Sequence, residues 1–389
     1  MKVCFFTHYS YTNQDGATLS LINIVNEMVE RGIEVIVVIP NKNIQFPIKH
    51  EKVKCIVIPA FSMRVPIHYN GIMSYVKGKV KSLRNWFSMK KALSIIKEER
   101  PDIIHINGLD SGIGAEVAIK LGIPYFWHIR QLLDDDLGLR LYNEKKIYKL
   151  LKKAQSIIAI SKTIKEKYEK ILNKNLVLIY NGIPIEKYRI DEKIRFSKKV
   201  INILLAGRIV EKKGQLDAVK AVSHLVKSGT KNIQLILAGN AQDINYTKTI
   251  KEFIYAHNLQ EFIKIIDHVE DLRQLRSNCD IGLICSKKEA FGRVTIETML
   301  SRMLAIGANT GGTAEIIDNN VNGLLYQEGD YLSLAKKIEY AIANKDEMNT
   351  LIDLGYKTVI ERYSISRVVD QIINLYEEVM SGRLDKEVS

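Results

Sequence analysis

Cysteine is scarce in this chain, with four residues among 389, and none has the spacing of a metal site or a redox motif. The apolar runs around Cys4, Cys55, Cys279 and Cys285 predict reduced residues in the protein core. No stretch reaches the ~18–20 uninterrupted apolar residues of a membrane-spanning helix. A Walker loop is missing, and the first residues lack the features of a signal peptide. These absences exclude a disulfide scaffold and favour a cytoplasmic protein.

Apolar, β-rich runs alternate with helix-like stretches along the chain. The runs are continuously apolar, which is typical of parallel strands covered by helices on both faces. They lie at 3–7, 35–39, 55–58, 103–106, 125–128, 157–160 and 177–180, and then at 201–206, 234–238, 263–267, 281–285 and 304–307. Because a charged segment separates the two sets, the pattern predicts two α/β domains. The predicted parts are a first domain at 1–186, a linker at 187–199, a second domain at 200–367 and a last helical segment at 368–389.

Two glutamates eight residues apart carry the strongest chemical signal. Glu289 falls in a Gly-containing turn after a predicted strand, and Glu297 falls on the second turn of the following helix. Carboxylates accept hydrogen bonds from sugar and ribose hydroxyls, while the free N–H groups of a helix start attract phosphate. The pattern fits a nucleotide sugar, although a solvated helix face would also carry two glutamates.

A basic loop follows the first strand of the second half. Arg208 and Lys213 would place fixed positive charge beside a leaving diphosphate, whose negative charge grows as the sugar departs. The alternative is a solvated basic loop together with Glu211 and Lys212.

With these residues the chain resembles the retaining, GT-B-fold glycosyltransferases of family 4, also called glycosyl transferases group 1. The signature of that family is two Glu separated by seven residues, with Phe-Gly after the first. It is matched by Glu289, Phe291, Gly292 and Glu297. Further motifs match in the expected order, and they are Asn181-Gly182-Ile183, Gly207-Arg208 with Lys213-Gly214, and Gly311-Gly312 with Glu315.

The resemblance implies an α/β GT-B fold, in which two facing Rossmann-like domains with parallel sheets enclose a deep cleft. The first domain would bind the acceptor and the second the nucleotide sugar. The last helix would cross back to the first domain. The implied enzyme is a retaining hexosyltransferase that acts on a nucleoside-diphosphate sugar and a glycan or lipid-linked acceptor. Its expected setting is the synthesis of a bacterial capsule, surface polysaccharide or glycolipid.

The resemblance also assigns roles around the glutamate motif. Glu297 would hold the ribose hydroxyls, and Glu289 would act in catalysis by holding hydroxyls of the transferred sugar. Backbone N–H groups near Phe291, Gly292 and Arg293 would add contacts to the donor.

Five further positions complete the expected site. Arg208 and Lys213 would act in catalysis on the diphosphate, and Gly16 would bring backbone N–H groups close to it. His128 would face the reacting carbon as a catalytic residue, with a structural hydrogen-bonding role as its alternative. Val269 would touch the base. The family usually has Gly before that position and this chain has a histidine, so the base stays open, with UDP-linked donors favoured over GDP-linked ones.

Neither a cofactor nor an obligatory metal is expected. The aspartates at 134–136 lie away from the segments that would bind the donor. No side chain stands out as a covalent nucleophile. The resemblance therefore favours a same-face substitution, in which the leaving phosphate deprotonates the acceptor.

Positive charge is concentrated in the first half of the chain. Residues 1–199 carry 34 Lys and Arg against 19 Asp and Glu, whereas residues 200–389 carry 23 against 25. The residues assigned to the membrane or acceptor side are Lys77, Lys79, Lys81, Arg84, Trp86, Phe87, Lys90 and Lys91. A second basic cluster consists of Lys145, Lys146, Lys149, Lys152 and Lys153. Basic residues mixed with aromatic ones suit an anionic membrane surface. We therefore expect peripheral attachment at the inner face of the cell membrane, with a solvated charged face as the alternative.

Other functions fit the sequence less well. A dinucleotide-binding dehydrogenase would need a complete glycine fingerprint, but Gly112-Ile113-Gly114 is followed by Val117 at the third position. A nucleic-acid-binding protein would explain the charge and leave the acidic and basic motif residues unused, so no nucleic-acid partner is expected. A GT-B nucleotide-sugar epimerase stays open as the alternative enzyme.

Overall fold

The computed structural model describes residues 1–7, 16–41, 48, 50–67, 72–109, 112–134, 138–190, 194–269 and 271–382. These residues form two compact units. The first comprises Met1–Ile183 together with the segment that begins at Ile365, and the second comprises Pro184–Ser364. None of the described helices combines the length and apolar character that a membrane span requires.

The strands are short and most of them are strongly apolar. In the first unit they are β1 (Lys2–Phe6), β2 (Glu34–Ile39), β3 (Val53–Val57), β4 (Arg64–Pro66), β5 (Ile103–Asn107), β6 (Tyr125–Ile129), β7 (Leu139–Leu141), β8 (Ser156–Ala159) and β9 (Val177–Leu178). In the second unit they are β10 (Ile201–Ala206), β11 (Ile233–Ala238), β12 (Ile263–Ile266), β13 (Ile281–Ile284), β14 (Leu304–Ala308) and β15 (Leu324–Tyr326).

Helices connect most of these strands. They are α1 (Gly16–Glu30), α2 (Ile72–Glu99), α3 (Ile113–Leu121), α4 (Glu144–Lys152), α5 (Lys162–Leu172), α6 (Ile185–Tyr188), α7 (Gln215–Lys227), α8 (Ile244–Ala256), α9 (Arg273–Ser277), α10 (Arg293–Leu300), α11 (Gly311–Ile316), α12 (Tyr331–Ala343), α13 (Lys345–Tyr363) and α14 (Ile365–Met380). A short 3-10 helix, Glu211–Lys213, precedes α7.

Each unit has a parallel sheet with the doubly wound strand order. Within the described residues, the first sheet has seven strands in the order β3-β2-β1-β5-β6-β8-β9, and the second has six in the order β12-β11-β10-β13-β14-β15. A separate antiparallel ribbon joins β4 to β7. Ligands of doubly wound sheets bind off the carboxyl ends of the strands, at the point where the order reverses. In the second unit that point lies between β10 and β13.

Burial of the apolar strands stabilises both sheets. The central strands β5, β6, β13 and β14 are buried along their whole length. Each fully buried Val, Leu or Ile stabilises the fold by about 1.5–3 kcal/mol. The prediction of two parallel α/β units is confirmed, and each predicted strand lies within about two residues of an observed one. The pattern missed β4, β7 and β15 because three residues are too few to show a periodicity.

The prediction that the cysteines are core residues is wrong for one of them. Cys4, Cys279 and Cys285 are buried, and burial raises the pKa of Cys285 to about 12. Cys55 is exposed, because it lies on β3 at the edge of the first sheet, where none of the strand's residues is buried.

The last helix belongs to the first unit, but its bounds differ from the predicted ones. The backbone N–H of Ile365 donates to the carbonyl of Ile183 at 3.1 Å. The chain therefore leaves and re-enters the first unit at two residues that are bonded to each other, rather than at 186 and 368. Farther along α14, Val369 and Ile372 lie in one apolar cluster with Leu21 of α1.

The segment predicted as a linker, 187–199, is packed into the second unit. Arg195 and Phe196 are 2% and 3% exposed. The Arg195 guanidinium donates to four carbonyl groups at 2.6 to 2.8 Å, and these belong to Ser277, Cys279, Ser301 and Arg302. The charged composition predicted a linker because the carbonyl groups that bind this arginine are distant in sequence.

We expect Arg195→Met to lower the free energy of unfolding of the second unit by about 3 kcal/mol, because it leaves several buried carbonyl groups without donors. Urea unfolding measures the change. Arg189→Met is the matched control, since Arg189 is exposed, and it should change the free energy by less than about 0.5 kcal/mol. Equal effects of the two substitutions would show that the buried guanidinium does not stabilise the unit.

Candidate donor site on the second unit

Lys213 and Glu289 meet at the carboxyl edge of the second sheet. Lys213 ends the 3-10 helix after β10, and Glu289 lies in the turn after β13, so the two strands flank the point where the order reverses. The Lys213 Nζ donates to Glu289 Oε1, and the two side chains are 21% and 19% exposed. Burial raises the pKa of Glu289, but Lys213 outweighs it and holds the pKa below its ordinary value. The pair is charged and partly open to solvent.

A close backbone approach brings these two loops together. Gly214 follows Lys213 with a φ of +68°, and a Cβ at this position would collide with the carbonyl group of Cys285, one residue after β13. The backbone N–H of Lys287 then donates to the carbonyl of Lys212 at 2.9 Å. A side chain at 214 would therefore separate the ammonium from the carboxylate.

The turn that carries Glu289 is fixed from its other side by α11. The Gly312 N–H donates to the Glu289 carbonyl at 2.8 Å. A Cβ on Gly312 would collide with the carbonyl of Phe291. The Phe291 ring is buried and packs edge-on against Tyr363, with centroids 6.0 Å apart. The Gly-Gly motif predicted from sequence therefore acts by allowing two loops to touch through their backbones.

Glu297 is buried between two arginines. Arg276 Nη2 donates to Glu297 Oε2 at 2.5 Å, and Arg293 Nε donates to Glu297 Oε1 at 2.8 Å. Burial raises the pKa of Glu297, but the two guanidinium groups outweigh it and hold the pKa below its ordinary value. Arg293 Nη2 also donates to the Tyr188 hydroxyl at 2.6 Å. A carboxylate has about four acceptor positions, so both oxygens can still accept a hydrogen bond from a ligand.

Sequence reasoning missed Arg276 and Tyr188, and it gave Arg293 only a backbone role. Arg276 is 3% exposed on α9, twenty-one residues before its partner. Arg293 lies four residues before Glu297 on α10, the spacing of a helical ion pair, and that signal was available in the sequence.

Two other predicted donor residues lie at the same edge of the sheet but do not join these pairs. Arg208 is exposed, and its Nη1 donates to Gln242 Oε1 at 3.1 Å. Val269 is 36% exposed and follows the outer strand β12. Gly292, the residue before α10, has a φ of +88°. The edge therefore presents one exposed guanidinium, one ion pair and one buried carboxylate.

The predicted residues of the first unit lie elsewhere in the chain. Gly16 begins α1 and is exposed; whether it approaches a diphosphate stays a prediction. His128 lies near the end of β6 and is 1% exposed. Its Nδ1 contacts Arg130 and His105, while its Nε2 is buried and has no hydrogen-bond partner within the described part of the chain. The aspartates at 135 and 136 lie outside the described residues.

Most of the residues assigned to the membrane side are exposed on α2. Lys77, Lys79, Trp86, Phe87, Lys90 and Lys91 are exposed. Lys81 is partly buried and donates from Nζ to the Ser62 carbonyl at 3.1 Å, and the Arg84 guanidinium lies 5.2 Å from the Phe61 ring. Lys81 is therefore engaged within its own unit, whereas Arg84 is exposed like the other six residues. Across the described residues, no group of three or more His, Cys, Asp or Glu is placed to hold a metal ion.

Comparison with known proteins identifies the family. Residues 186–358 match the glycosyl transferases group 1, and residues 14–187 match Glycosyltransferase Family 4. The chain is a group 1 glycosyltransferase. The donor-side motifs fall in the first match, and Asn181-Gly182-Ile183 falls in the second.

Several relatives of this glycosyltransferase are named by their function. The chain is 26% identical over 309 residues to the capsular polysaccharide biosynthesis glycosyltransferase CapM of Staphylococcus aureus, covering 74% of this chain and 80% of CapM. It is 23% identical over 391 residues to an α-1,4-N-acetyl-D-galactosaminyltransferase of Campylobacter jejuni that acts on an undecaprenol-diphosphate-linked sugar, covering 98% and 100% of the two chains.

Solved structures share the fold. Anabaena Alr3699/HepE in complex with UDP aligns with a TM-score of 0.76 at 20% identity, over 97% of this chain and 100% of HepE. A glycosyltransferase from Rickettsia africae aligns with a TM-score of 0.78 at 21% identity, over 97% and 99% of the two chains.

We expect Glu297→Gln to reveal a pH-dependent contribution to stability. The folded pKa of Glu297 is lowered, so its contribution is present above the unfolded pKa of about 4.3 and is lost as the pH falls through the folded pKa. At pH 7 the substitution leaves Arg276 with a weakened buried partner, and the free energy of unfolding should fall by about 3 kcal/mol. Urea unfolding between about pH 3 and pH 7 should show this difference shrinking toward acid pH.

The control for this experiment is Glu252→Gln. Glu252 forms an exposed pair with Lys248, which is worth less than about 0.5 kcal/mol. If Glu297→Gln lowered the free energy of unfolding equally at both ends of the pH range, the account of the Arg276–Glu297–Arg293 cluster would be wrong.

Proposed function

We propose that this protein is a retaining glycosyltransferase that moves a hexose-type sugar from a UDP-sugar to a glycan or lipid-linked acceptor. The observation that carries the proposal is the arrangement of Lys213, Glu289 and Glu297 at one edge of the second sheet, where the strand order reverses. The names of CapM and of the Campylobacter enzyme support an acceptor in a capsule, surface polysaccharide or glycolipid. The UDP-bound state of HepE supports UDP as the carrier.

The Lys213–Glu289 ion pair matches a ligand that combines a diphosphate with sugar hydroxyls. Without a ligand, each group satisfies the other. When the donor binds, Lys213 turns to the diphosphate, and Glu289 accepts hydrogen bonds from the sugar hydroxyls. The exchange keeps both charges paired or hydrogen-bonded, which a partly buried site requires.

Glu297 is suited to the ribose because its charge is fixed before the ligand arrives. Two arginines hold the carboxylate in one orientation, and both oxygens keep acceptor capacity. Two neighbouring hydroxyls fit such a rigid, bidentate acceptor. Val269 lies at the outer side of the same edge, where the base would extend.

The reaction is a same-face substitution. The acceptor hydroxyl oxygen forms a bond to the anomeric carbon on the face from which the diphosphate departs. The bond between that carbon and the phosphate oxygen breaks, and its electron pair stays on the β-phosphate. The phosphate oxygen released in this way then takes the proton of the acceptor hydroxyl. Lys213, Arg208 and the positive end of α10 stabilise the charge that develops on the phosphate. Because these groups supply the positive charge, we propose that no metal is required.

We expect Lys213→Met to lower kcat/KM for UDP release from the UDP-sugar by about 100-fold or more, because the developing phosphate charge loses its cation. The assay measures the slow hydrolysis of UDP-sugar without acceptor, in the presence and absence of EDTA. Lys227→Met, an exposed lysine of the same unit, is the control and should keep wild-type activity. UDP should raise the wild-type melting temperature more than GDP does, and EDTA should change neither result.

The outcomes of this experiment separate the alternatives. Wild-type activity in Lys213→Met would disprove the site assignment, and loss of activity with EDTA would disprove metal independence. Formation of an epimeric nucleotide sugar would favour the epimerase. A melting shift with RNA or DNA, and none with any nucleoside diphosphate, would favour a nucleic-acid-binding protein.

The proposal of membrane attachment rests on α2, which has two opposite stripes, one buried and one exposed. Gly78, Asn85, Met89, Ala92 and Ile96 form the buried stripe. A second stripe, at the helical spacing of four, three and four residues, consists of Val76, Val80, Leu83 and Phe87. At 100° per residue it lies on the opposite side of the helix, and its side chains are 45% to 60% exposed.

Basic residues flank this exposed stripe on both sides. Lys77 and Lys91 lie on one side, and Lys79 and Lys90 on the other. The Lys90 ammonium lies 3.7 Å from the centroid of the Trp86 ring. The first acidic residue of α2 is Glu98, near its end. An apolar ridge with a basic border fits a helix that lies in the interface of an anionic membrane, at about 1 kcal/mol for each close charge. We therefore propose that the protein works as a peripheral enzyme at the cytoplasmic face of the membrane.

We expect Leu83→Ser with Phe87→Ser to reduce binding to phosphatidylglycerol vesicles about tenfold or more, because it removes apolar area from the membrane-facing ridge. Co-sedimentation measures binding, and neutral phosphatidylcholine vesicles should bind the wild type weakly. Ile244→Ser with Tyr255→Ser is the control, since these residues of α8 are 79% and 71% exposed. Equal loss in both pairs, or no wild-type binding, would contradict the membrane proposal.

A further inference from the structure

A chain of buried hydrogen bonds leads from the last helix to His128. The Tyr376 hydroxyl on α14 lies 2.5 Å from His105 Nδ1, and His105 Nε2 lies 3.1 Å from His128 Nδ1. Arg130 Nη2 approaches the same His128 nitrogen at 3.2 Å. All four side chains are at most 3% exposed. The chain therefore runs through the interior of the first unit and ends at His128.

Arg130 fixes the direction of this chain. A guanidinium only donates hydrogen bonds, so His128 Nδ1 must accept and carries no proton. Neighbouring amide groups hold Arg130 in place, because its Nε donates to Asn107 Oδ1 and its Nη1 donates to Asn181 Oδ1 at 2.5 Å. Asn181 belongs to the Asn-Gly-Ile motif of the sequence.

The remaining protons follow from that assignment. Since His128 Nδ1 accepts, the bond from His105 requires the proton to be on His105 Nε2. A neutral His105 then has a bare Nδ1, and the Tyr376 hydroxyl donates to it. A neutral His128 has its one proton on Nε2. That nitrogen is buried and has no partner within the described residues.

Both rings stay neutral at ordinary pH. Burial lowers the pKa of His128 well below its usual value, and the positive charge of Arg130 lowers it further. Burial and the charge of Arg130 also lower the pKa of His105. A neutral ring that is protonated on Nε2 has no free lone pair on that nitrogen, so Nε2 can donate a hydrogen bond but cannot take up a proton.

We propose that Tyr376 and His105 are positioning residues that, with Arg130, hold His128 as the Nε2–H tautomer. His128 then presents a hydrogen-bond donor to an oxygen of the substrate and does not act as a general base. The substrate part of this proposal rests on the proposed transferase function, but the tautomer does not. The catalytic role predicted for His128 from the sequence would then be that of a hydrogen-bond donor to the substrate.

Long-range proton–nitrogen NMR of the ¹⁵N-histidine-labelled full chain tests the tautomer directly. Single His105→Gln and His128→Gln variants assign the two rings. In the wild type, His128 should show a protonated Nε2 and a bare Nδ1, without titration between about pH 5 and pH 8. A His128 ring that is protonated on Nδ1, or on both nitrogens, would overturn the proposal.

Tyr376→Phe tests the positioning role. Without the hydroxyl, His105 Nδ1 has lost its donor and Arg130 alone opposes the reversed chain, in which His128 donates from Nδ1 to His105. The NMR spectrum should therefore gain a population with His128 protonated on Nδ1. Tyr125→Phe is the control, since Tyr125 is 2% exposed and its hydroxyl donates to the Leu150 carbonyl outside this chain. Unchanged tautomers in Tyr376→Phe would overturn the role of Tyr376.

Activity separates this inference from the proposed function. In Tyr376→Phe, kcat/KM for UDP release should fall in proportion to the lost Nε2–H population, and in Tyr125→Phe it should not fall. If the population of His128 protonated on Nε2 falls as expected in Tyr376→Phe and transferase activity does not change, the proposed contact between His128 and the substrate is wrong. A wild type without any transferase activity would instead disprove the proposed function and leave the tautomer assignment intact.

Discussion

The donor site depends on the close approach of three backbone segments at the carboxyl edge of the second sheet. Gly214 lies against the carbonyl of Cys285, and Gly312 lies against that of Phe291, in each case at a distance that excludes a Cβ. These contacts join the loops after β10, β13 and β14. Because the backbones touch, Lys213 reaches Glu289 across the point where the strand order reverses. A larger residue at either glycine would move the charged side chains apart even if every charge were kept.

The two glutamates of the motif differ in how firmly they are held, and this difference gives each a separate role. Glu297 is buried and bonded by two arginines, one of which is itself buried. Removing it would leave a buried charge, so its orientation is part of the fold. Glu289 has the partly exposed Lys213 as its main charged partner. That pair can exchange partners without leaving a charge unpaired, because phosphate and sugar hydroxyls would replace the lost contacts, which suits a group that changes partners when a donor binds.

Much of the fold was predictable from the sequence because its signals are local. Continuous runs such as 103–106 and 281–285 predicted parallel strands. The Gly-containing turn between a strand-like and a helix-like segment placed Glu289 in a turn and Glu297 on a helix. The missed features depend on contacts between residues far apart in sequence. Arg195 is solvated by carbonyl groups more than eighty residues away, and Tyr376 meets His105 across 271 residues. From sequence alone, a charged side chain is expected on the surface and an aromatic one in an apolar core. The hydrogen-bond partners of these two residues are therefore visible only in the folded chain.

The central claim is that a nucleoside diphosphate binds at the Lys213–Glu289–Glu297 edge of the second unit. Hydrogen–deuterium exchange of the full chain with and without UDP tests it most directly, because bound phosphate and ribose protect the backbone amides that they contact. The account predicts that protection in the second unit is concentrated in residues 207–214 and 289–297. Protection of other segments of that unit while these two exchange unchanged would contradict it.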